Sequence, residues 1–581
     1  MVQVETPGAP KCSLLVNAES VATAVDTLPA AVERAAAAGA RLLLAKGDQP
    51  PRVVTWRDLQ DQAARVAQHL LQLGLEQGGR VVLMLPTGED WLASFFGTLL
   101  AGGVPVPVGP TFSFGGIDKY VSTVQHIARD AGARFFIGSQ HAEAHWPALT
   151  ENNPTLQHFL RPESLRTGLG TRTLRVPSPS AGDLAVLQYT SGTTSLPKGV
   201  MLSHHSLLAN AHMIGKRVGM TPSDVGVSWL PLFHDMGLVG ALMTSLYWHY
   251  SLLLTPVESF LMHPRRWLQS ISSLRATLTV APNFAYQTAV DRISDRHADG
   301  LDLSSWRCAF NGSEMVRSST LNAFGARFGK NGFCRSAFLP VYGMAENTLA
   351  ATFPPREASW VATTLKRDAL ERRRVEPAPP GDGAVEIVAV GTPLAGTRVA
   401  IQGDDGRDVP LGVLGEIAVR SPSLMDGYFR NDTATQAALR NGWLRTGDLG
   451  FIADGQLYVT GRAKEIIIKR GRNYYPDDLE SAAMEASDNG SVRAAAAFGC
   501  PDEATGTESV VLVLETKRID EQERLDLDKA VNGALIAAFG IRADVVVFVP
   551  QRTIPRTTSG KVRRTALRAQ YHSGQLVRAS T

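Results

Sequence analysis

Between Thr55 and Ile137 the sequence switches repeatedly between two hydrophobic periods, and this alternation limits the fold more than any other feature. Thr55-Trp-Arg-Asp58 reads as a helix start, with Thr55 as N-cap and an acid in the first turn. Ala63, Val66, Leu70 and Leu73 follow at helical spacing, and Gly74 closes the segment. Val81–Leu85 is then a continuous apolar run, closed by Pro86, of the kind a strand buried on both faces shows. Trp91–Leu100 reads as helix, Val104–Val108 as extended chain, Val121–Ala131 as helix and Arg134–Ile137 as another strand. Helices between strands supply the crossovers that parallel strands need, so an α/β fold of layers around a mostly parallel sheet is expected.

The pattern resumes at Val225–Leu230, Thr277–Val280 and Arg307–Phe310, short apolar strands of which the last two run into polar turns. Ligands sit at the ends of such strands in open α/β sheets. From about Gly391 the character changes. Val399–Ile401, Gly415–Arg420 and Gln456–Val459 are short strands with Gly/Asp turns, which predicts a β-rich subdomain. After the basic segment Arg462–Arg472 come helix Pro476–Ala486, strand Val510–Leu514, a helix near Leu525–Phe539 and strand Val545–Val549, read as a separate small α/β domain. A chain of 581 residues exceeds what one core supports, which agrees with two or more domains.

Composition excludes several function classes. A net charge of +3 gives no electrostatic case for nucleic acid. Four cysteines without CxxC spacing argue against a disulfide framework or zinc site and fit a reducing, cytoplasmic setting. Met1–Val16 lacks a basic start followed by a long apolar run, so no signal peptide is read. The most apolar segment, Ala241–Pro256, is interrupted by His249 and too short for a membrane span; a buried helix and strand are expected there.

The stretch Tyr189-Thr-Ser-Gly-Thr-Thr-Ser-Leu-Pro-Lys-Gly-Val200 gathers Ser191, Thr193, Thr194, Gly192, Gly199 and Lys198. Leu184–Leu187 leads in as a strand, and Leu202, Leu207 and Leu208 around His204 read as a helix leaving it. Strand, glycine and hydroxyl loop, then helix suits a polyphosphate: glycines let the backbone approach, successive N–H groups form a nest, and lysine adds charge. It is not a Walker A loop, because GxxxxGK[ST] is absent. An ordinary Ser/Thr/Gly turn is the alternative.

Six further segments follow in order: Trp229-Leu-Pro-Leu-Phe-His-Asp-Met-Gly237, Asn311-Gly-Ser-Glu314, Tyr342-Gly-Met-Ala-Glu346, Thr446-Gly-Asp448, Gly461-Arg-Ala-Lys-Glu465 and Pro555-Arg-Thr-Thr-Ser-Gly-Lys561. Together with the loop they resemble the adenylate-forming enzymes (acyl-CoA synthetases, peptide-synthetase adenylation domains, luciferases) over nearly the whole chain. Gly471-Arg-Asn-Tyr-Tyr-Pro-Asp-Asp-Leu-Glu480 is similar to the segment of fatty acyl-AMP ligases. The long connection from Glu346 to Gly391 also resembles those ligases, whose insertion here is thought to limit the domain rotation needed for thioesterification with CoA. Pro354–Ala384 is the candidate insertion, with a plain surface loop as the alternative.

The resemblance implies a large N-terminal domain over 1–460, a hinge over 461–465 at Lys464, and a small mobile C-terminal domain over 466–581. It implies that Thr190, Ser191, Gly192, Thr193, Thr194 and Lys198 hold the ATP phosphates, with Ser195 standing where most relatives have glycine. Glu346 and Thr194 would bind Mg²⁺, Tyr342 and Gly343 would meet adenine with Asn311, Gly312 and Ser313 along its edge, and Asp448 would accept from both ribose hydroxyls. Arg462 would face ribose or phosphate, and Lys561 would bridge the carboxylate and α-phosphate. His234 would line the carboxylate end of the acyl pocket or be a satisfied structural histidine. Asp235 is read as a structural partner, while Met236, Gly237, Met243 and Phe284 suit an acyl tunnel or core packing equally.

The resemblance therefore implies a fatty acyl-AMP ligase that uses ATP and Mg²⁺ to activate a medium- or long-chain fatty acid. It would pass the acyl group to the phosphopantetheine thiol of an acyl carrier protein for polyketide, lipopeptide or lipid synthesis. An acyl- or aryl-CoA synthetase is the alternative. A non-catalytic scaffold of the same fold would show damaged catalytic positions, and these are intact.

Overall fold

The computed structural model describes residues 12–47, 49–110, 117–166, 178–190, 196–381, 383–469, 472–487, 491–502, 507–517, 519–557 and 561–576. Thr55 caps the helix Trp56–Gln72 as read: its side chain accepts from the Asp58 N–H while Asp58 accepts from the Thr55 N–H. This reciprocal box satisfies two donors that a helix start otherwise leaves open.

The largest sheet has seven strands in the order Phe338–Pro340, Cys308–Gly312, Leu278–Pro282, Val225–Ser228, Ser251–Leu254, Arg41–Lys46, Gln49–Thr55. All neighbours are parallel except the last pair. A second, all-parallel sheet joins Val104–Pro107, Arg80–Met84, Phe135–Gly138 and His158–Leu160. The apolar runs read from sequence are the buried strands of these two sheets, with helices on their faces. A six-stranded antiparallel sheet carries Leu14–Val16, Arg398–Gln402, Gly415–Arg420, Trp443–Ala453, Leu439–Arg440 and Gln456–Arg462. The β-rich character expected beyond Gly391 is this sheet. No helix among the described residues is long and apolar enough to cross a membrane. Residues 241–256 instead contribute to a π-helix, Met236–Met243, a helix, Thr244–Trp248, and the strand Ser251–Leu254.

Beyond residue 466, the strands Val492–Asp502, Thr507–Thr516 and Val545–Pro550 form their own sheet, and helices Pro476–Glu485 and Glu521–Phe539 pack together beside it. Its apolar side chains, among them Leu479, Leu512, Leu514, Val531 and Leu535, form a cluster of their own. Val492–Asp502 has no counterpart in the sequence reading. Its centre is the alanine run Ala494–Ala497, and alanine is a poor strand former whose pattern carries no alternation.

One expectation is corrected. The strand Leu184–Thr190 does not pass through its loop into a helix; the chain returns as an antiparallel strand, Lys198–Ser203, before the helix His204–Val218. Thr190 pairs with Lys198 in this hairpin, and Gly427–Tyr428 adds a third strand to it. The helix begins only where the Ser203 side chain accepts from the Ser206 N–H.

His204, at the start of that helix, is 3% exposed, and its Nδ1 accepts the Leu28 N–H at 3.1 Å. Burial lowers its pKa from 6.5 to about 4, with Asp183 pulling the other way. The folded value lies below the unfolded one, so the stabilisation is complete above the unfolded pKa. It is lost as pH falls from 6.5 towards 4, where only the unfolded chain takes the proton. The loss is expected to be on the order of 3 kcal/mol. Urea midpoints across that range check it, and His204→Asn is expected to flatten the dependence.

Candidate active site

Four parallel strands deliver polar residues at their carboxyl ends. Leu278–Pro282 leads to Asn283, Cys308–Gly312 to Ser313 and Glu314, Phe338–Pro340 to Tyr342, and Val225–Ser228 to His234 and Asp235. The ends of parallel strands are where an open sheet leaves a crevice. All of these residues line one cleft of about 2260 Å³, whose walls also include Thr190, Lys198, Gly343, Glu346, Asp448, Arg462, Lys464 and Lys561. Ser191, Gly192, Thr193, Thr194 and Ser195 lie outside the described residues.

Asp448 and Arg462 face each other across the hairpin of Trp443–Ala453 and Gln456–Arg462, with Arg462 Nε 3.1 Å from Asp448 Oδ1. The other carboxylate oxygen accepts the Tyr342 hydroxyl at 2.8 Å. Asp448 thereby sits between a cation and a phenol, and each oxygen keeps a further acceptor position for a ligand hydroxyl. The Asp448 charge raises the Arg462 pKa above its usual value, and burial pushes the Tyr342 phenol up, aided by Asp448.

Glu346 follows Tyr342 by four positions. Its Oε1 accepts the Tyr428 hydroxyl at 2.7 Å, and among the described residues Oε2 accepts no hydrogen bond. Lys198 Nζ lies 4.6 Å from the centroid of the same tyrosine ring. Tyr428 pairs with Val200 in the three-stranded sheet, so one side chain joins the hairpin of Leu184–Thr190 and Lys198–Ser203 to Glu346. Tyr428 was not read as a site residue from the sequence. Its one local signal, a glycine-tyrosine pair, says nothing about a partner more than two hundred residues away.

His234 Nδ1 lies 2.5 Å from Asp235 Oδ1, and the Met236 N–H also donates to Asp235 at 2.7 Å. Burial pushes the Asp235 carboxyl up, but His234, with Lys561 and the Met236 N–H, more than offsets this and holds it below its usual range. Asp235 was read as a structural partner, and its carboxylate contacts are the His234 ring and the Met236 N–H. Met236 and Phe284 line the cleft, whereas Gly237 and Met243 do not. A Cβ on Gly237 would lie 2.2 Å from the Pro231 carbonyl oxygen, so that glycine serves packing.

Lys561 enters the cleft from the C-terminal segment. Its N–H donates to Thr557 Oγ1 at 3.0 Å and its carbonyl accepts the Thr557 N–H at 2.7 Å, pinning the chain on both sides of 558–560. Burial and the Arg462 guanidinium push the ammonium below its usual pKa, against the pull of Asp235, Asp448 and Glu314. Glu314, quoted in its motif without a role, accepts the Phe284 N–H, and burial raises its pKa.

Asn311 and Gly312 do not reach the cleft. Both are buried one layer behind it, with Asn311 Nδ2 donating to Asn283 Oδ1 at 3.2 Å, so Asn283 is the amide that faces the opening. Ser313 is on the wall with φ +73°, a left-handed conformation uncommon for a residue with a Cβ. Gly343 is required by space: a Cβ would stand 1.9 Å from the Leu349 carbonyl oxygen. Lys464 lies exposed in the turn Ala463–Glu465.

A family model described as "AMP-binding enzyme" matches residues 32–429. The chain belongs to the AMP-binding enzymes. A second model, "Disco-interacting protein 2-like, AMP domain", matches 464–581. The medium-chain-fatty-acid–acyl-carrier-protein ligase JamA of Moorena producens is 33% identical over 575 residues, covering 95% of this chain and 96% of that one. The long-chain-fatty-acid–AMP ligase FadD32 of Mycolicibacterium smegmatis is 30% identical, covering 91% and 90%. A solved structure from a study of the fatty acyl-adenylate ligases of E. coli and L. pneumophila superposes with a TM-score of 0.88 at 32% identity, covering 95% of this chain and 99% of that one.

In this AMP-binding enzyme the candidate insertion is built structure. Ala362–Lys366 pairs antiparallel with Ala384–Val388, and the short helix Arg367–Glu371 stands between them. Leu365, Leu370 and Ile387 are buried in one cluster with Leu449, Phe451 and Tyr475. The hairpin also holds the C-terminal segment by polar contacts. Arg367 Nη1 lies 3.2 Å from Asp478 Oδ2, and its guanidinium lies 4.2 Å from the Phe539 ring centroid. The Asn473 amide donates to the Glu371 carbonyl at 3.0 Å. The paired strands end at Val388, so the unit extends past the Ala384 boundary read from the sequence.

Proposed function

We propose that this AMP-binding enzyme is a fatty acyl-AMP ligase. A fatty acid carboxylate oxygen attacks the α-phosphorus of ATP, the bond from that phosphorus to the bridging oxygen breaks, and pyrophosphate leaves. Two anions have to meet and charge builds on phosphate oxygens, so positioning and electrostatic stabilisation are what the protein supplies. The observation that carries the reading is that Lys561, from beyond residue 466, lines the same cleft as Glu346, Asp448 and Arg462.

Asp448 takes the ribose hydroxyls on its remaining acceptor positions, and Tyr342 and Gly343 lie along the adenine with Ser313 at its edge. Asn311 and Gly312 support that wall from behind. Thr190 and Lys198, with Ser191, Gly192, Thr193 and Thr194, hold the β- and γ-phosphates. His234 lines the carboxylate end of an acyl pocket whose wall includes Ile214, Trp229, Met236, Val257 and Phe284. Residues 1–460 form the large domain, 461–465 the hinge at Lys464, and 466–581 the mobile domain that carries Lys561.

Glu346 with Thr194 would hold Mg²⁺. The donor set fits that ion: the Glu346 carboxylate has an oxygen open to the cleft, and no cluster of three His, Cys, Asp or Glu suited to a protein-caged metal exists among the described residues. Magnesium takes one or two carboxylates and fills its shell with phosphates and water. When bound, it would offset polyphosphate charge.

The acceptor is the phosphopantetheine thiol of a carrier protein; the name of the Moorena relative makes that enzyme an acyl-carrier-protein ligase, which supports the choice of a carrier protein. Labelled fatty acid, ATP and Mg²⁺ are expected to yield acyl-adenylate and pyrophosphate. Adding a holo carrier protein is expected to move the label to its thiol, while free CoA yields little product. Efficient acyl-CoA formation would overturn this reading in favour of a CoA synthetase.

A further inference from the structure

We propose that Asn210 is a positioning residue for Glu346, acting from the core through the turn that follows it. Asn210 lies on the helix His204–Val218 with no exposed surface, among Leu207, Leu208, Ala211 and Met213 of the main core. An amide there costs stability unless its polar atoms are bonded. Three of its four side-chain bonds go to the segment behind Glu346, and the fourth goes to Ser423. Its Nδ2 donates to the Ala350 carbonyl at 2.9 Å, to Ser423 Oγ at 2.9 Å and to the Asn347 carbonyl at 3.3 Å. Its Oδ1 accepts the Ala350 N–H at 3.1 Å.

The turn so held is strained. Thr348 has φ +64° and ψ −54°, although it is β-branched. Such a residue at positive φ is an outlier that persists only where its surroundings over-determine it. The Leu349 N–H donates to the Asn347 carbonyl at 2.7 Å across the turn, and Thr348 Oγ1 donates to the Ser423 carbonyl at 2.7 Å. Ser423 Oγ closes the circuit to the Asn347 carbonyl at 3.3 Å. On the cleft side, the Met425 N–H donates to the Glu346 carbonyl and Tyr428 holds its Oε1. Glu346 is thus held from both directions, and Asn210 supplies the inner one. Strain stored one turn from a ligand-facing carboxylate fits pre-organisation of that carboxylate.

This inference rests on the reading of Glu346 as the carboxylate that meets the cation of the polyphosphate. Asn210→Ala, Ser423→Ala and Glu346→Gln are compared with the parent enzyme in two measurements: the Mg²⁺ concentration for half-maximal pyrophosphate release, and calorimetric affinity for Mg·ATP against AMP without metal. Asn210→Ala is expected to raise the Mg²⁺ requirement and weaken Mg·ATP binding about 10- to 100-fold, the range found when a partner that orients a metal ligand is lost. Metal-free AMP affinity is expected to stay within about twofold, because Asp448 and Tyr342 are untouched. Ser423→Ala, which removes one hydroxyl, shifts the same quantities by a smaller factor and decides the matter if Asn210→Ala does not fold. Normal Mg²⁺ dependence in both core variants, with Glu346→Gln shifted, overturns the inference. Equal loss of Mg·ATP and AMP binding overturns it as well, since Asn210 would then support the whole cleft. An unshifted Glu346→Gln refutes the reading of Glu346 itself.

Discussion

Replacing Lys561 with alanine is expected to slow pyrophosphate release by about 100- to 1000-fold while AMP affinity changes little, the usual cost of removing one charged or donor group aimed at a developing anion. The side chain enters a cleft that already holds Arg462, and its charge is sustained by Asp235, Asp448 and Glu314. Its placement is enforced from behind. Arg564, three residues on, donates from Nε and Nη2 to Glu480 at 2.8 Å each and from Nη2 to Asp477 at 2.8 Å. Its Nη1 reaches Glu465, in the turn that carries Lys464, at 2.5 Å. The segment bearing Lys561 is therefore tied to the turn Ala463–Glu465 and to the helix Pro476–Glu485.

A pH signature accompanies this prediction. The folded Lys561 pKa lies below the usual lysine value, and the ammonium is the useful form, so the rate of adenylation falls as pH rises through that lowered pKa. Lys561→Arg is expected to move this alkaline limb upward even if its maximum is lower. Pyrophosphate release against pH measures both, and an unchanged rate in Lys561→Ala would remove Lys561 from the mechanism.

The second large effect concerns the acceptor. Arg367→Ala is expected to raise acyl-CoA formation about 5- to 30-fold from a low base, corresponding to about 1–2 kcal/mol of lost holding energy between hairpin and C-terminal segment. Arg367 contributes an ion pair to Asp478 and a cation–π contact to Phe539, both partly shielded from water. If the hairpin restrains rotation about Lys464, weakening it populates the rotated orientation, while adenylate formation in the present orientation is little affected. This substitution is a sharper probe than deleting 354–384. That deletion would remove Ala362–Lys366 together with Ala384, and leave 385–388 without its strand partner and Ile387 uncovered. Thioester yield with CoA, compared with adenylate yield from the same reaction, decides it. No gain in CoA transfer would leave the hairpin as surface structure only.

What was legible in the sequence follows from the reach of each signal. Helices and parallel strands of the large domain were readable because side-chain period is a local property: 3.6 for Ala63, Val66 and Leu70, continuous burial for Val81–Leu85. Glu346, Asp448, Arg462 and Lys561 were readable as members of motifs, and the fold brings them together at the walls of one cleft. Pairing partners were not readable, since period gives a strand its faces but not its neighbour. Lys198–Ser203 is a strand because it pairs with Leu184–Thr190 and Gly427–Tyr428, so its structure is decided partly by residues far along the chain.

The same limit applies to Tyr428 on Glu346, to Asn210 behind it and to Arg367 on Asp478. Each is one polar side chain whose meaning lies in a contact between distant segments. The sequence by itself determined the α/β layering, because that rests on local period, and it pointed to the family and to the candidate site side chains through the motifs by which it resembles the adenylate-forming enzymes. Only the tertiary structure decided how those side chains are held, and that residues 362–388 form a docked hairpin, because both depend on register and on burial against partners that local period does not specify.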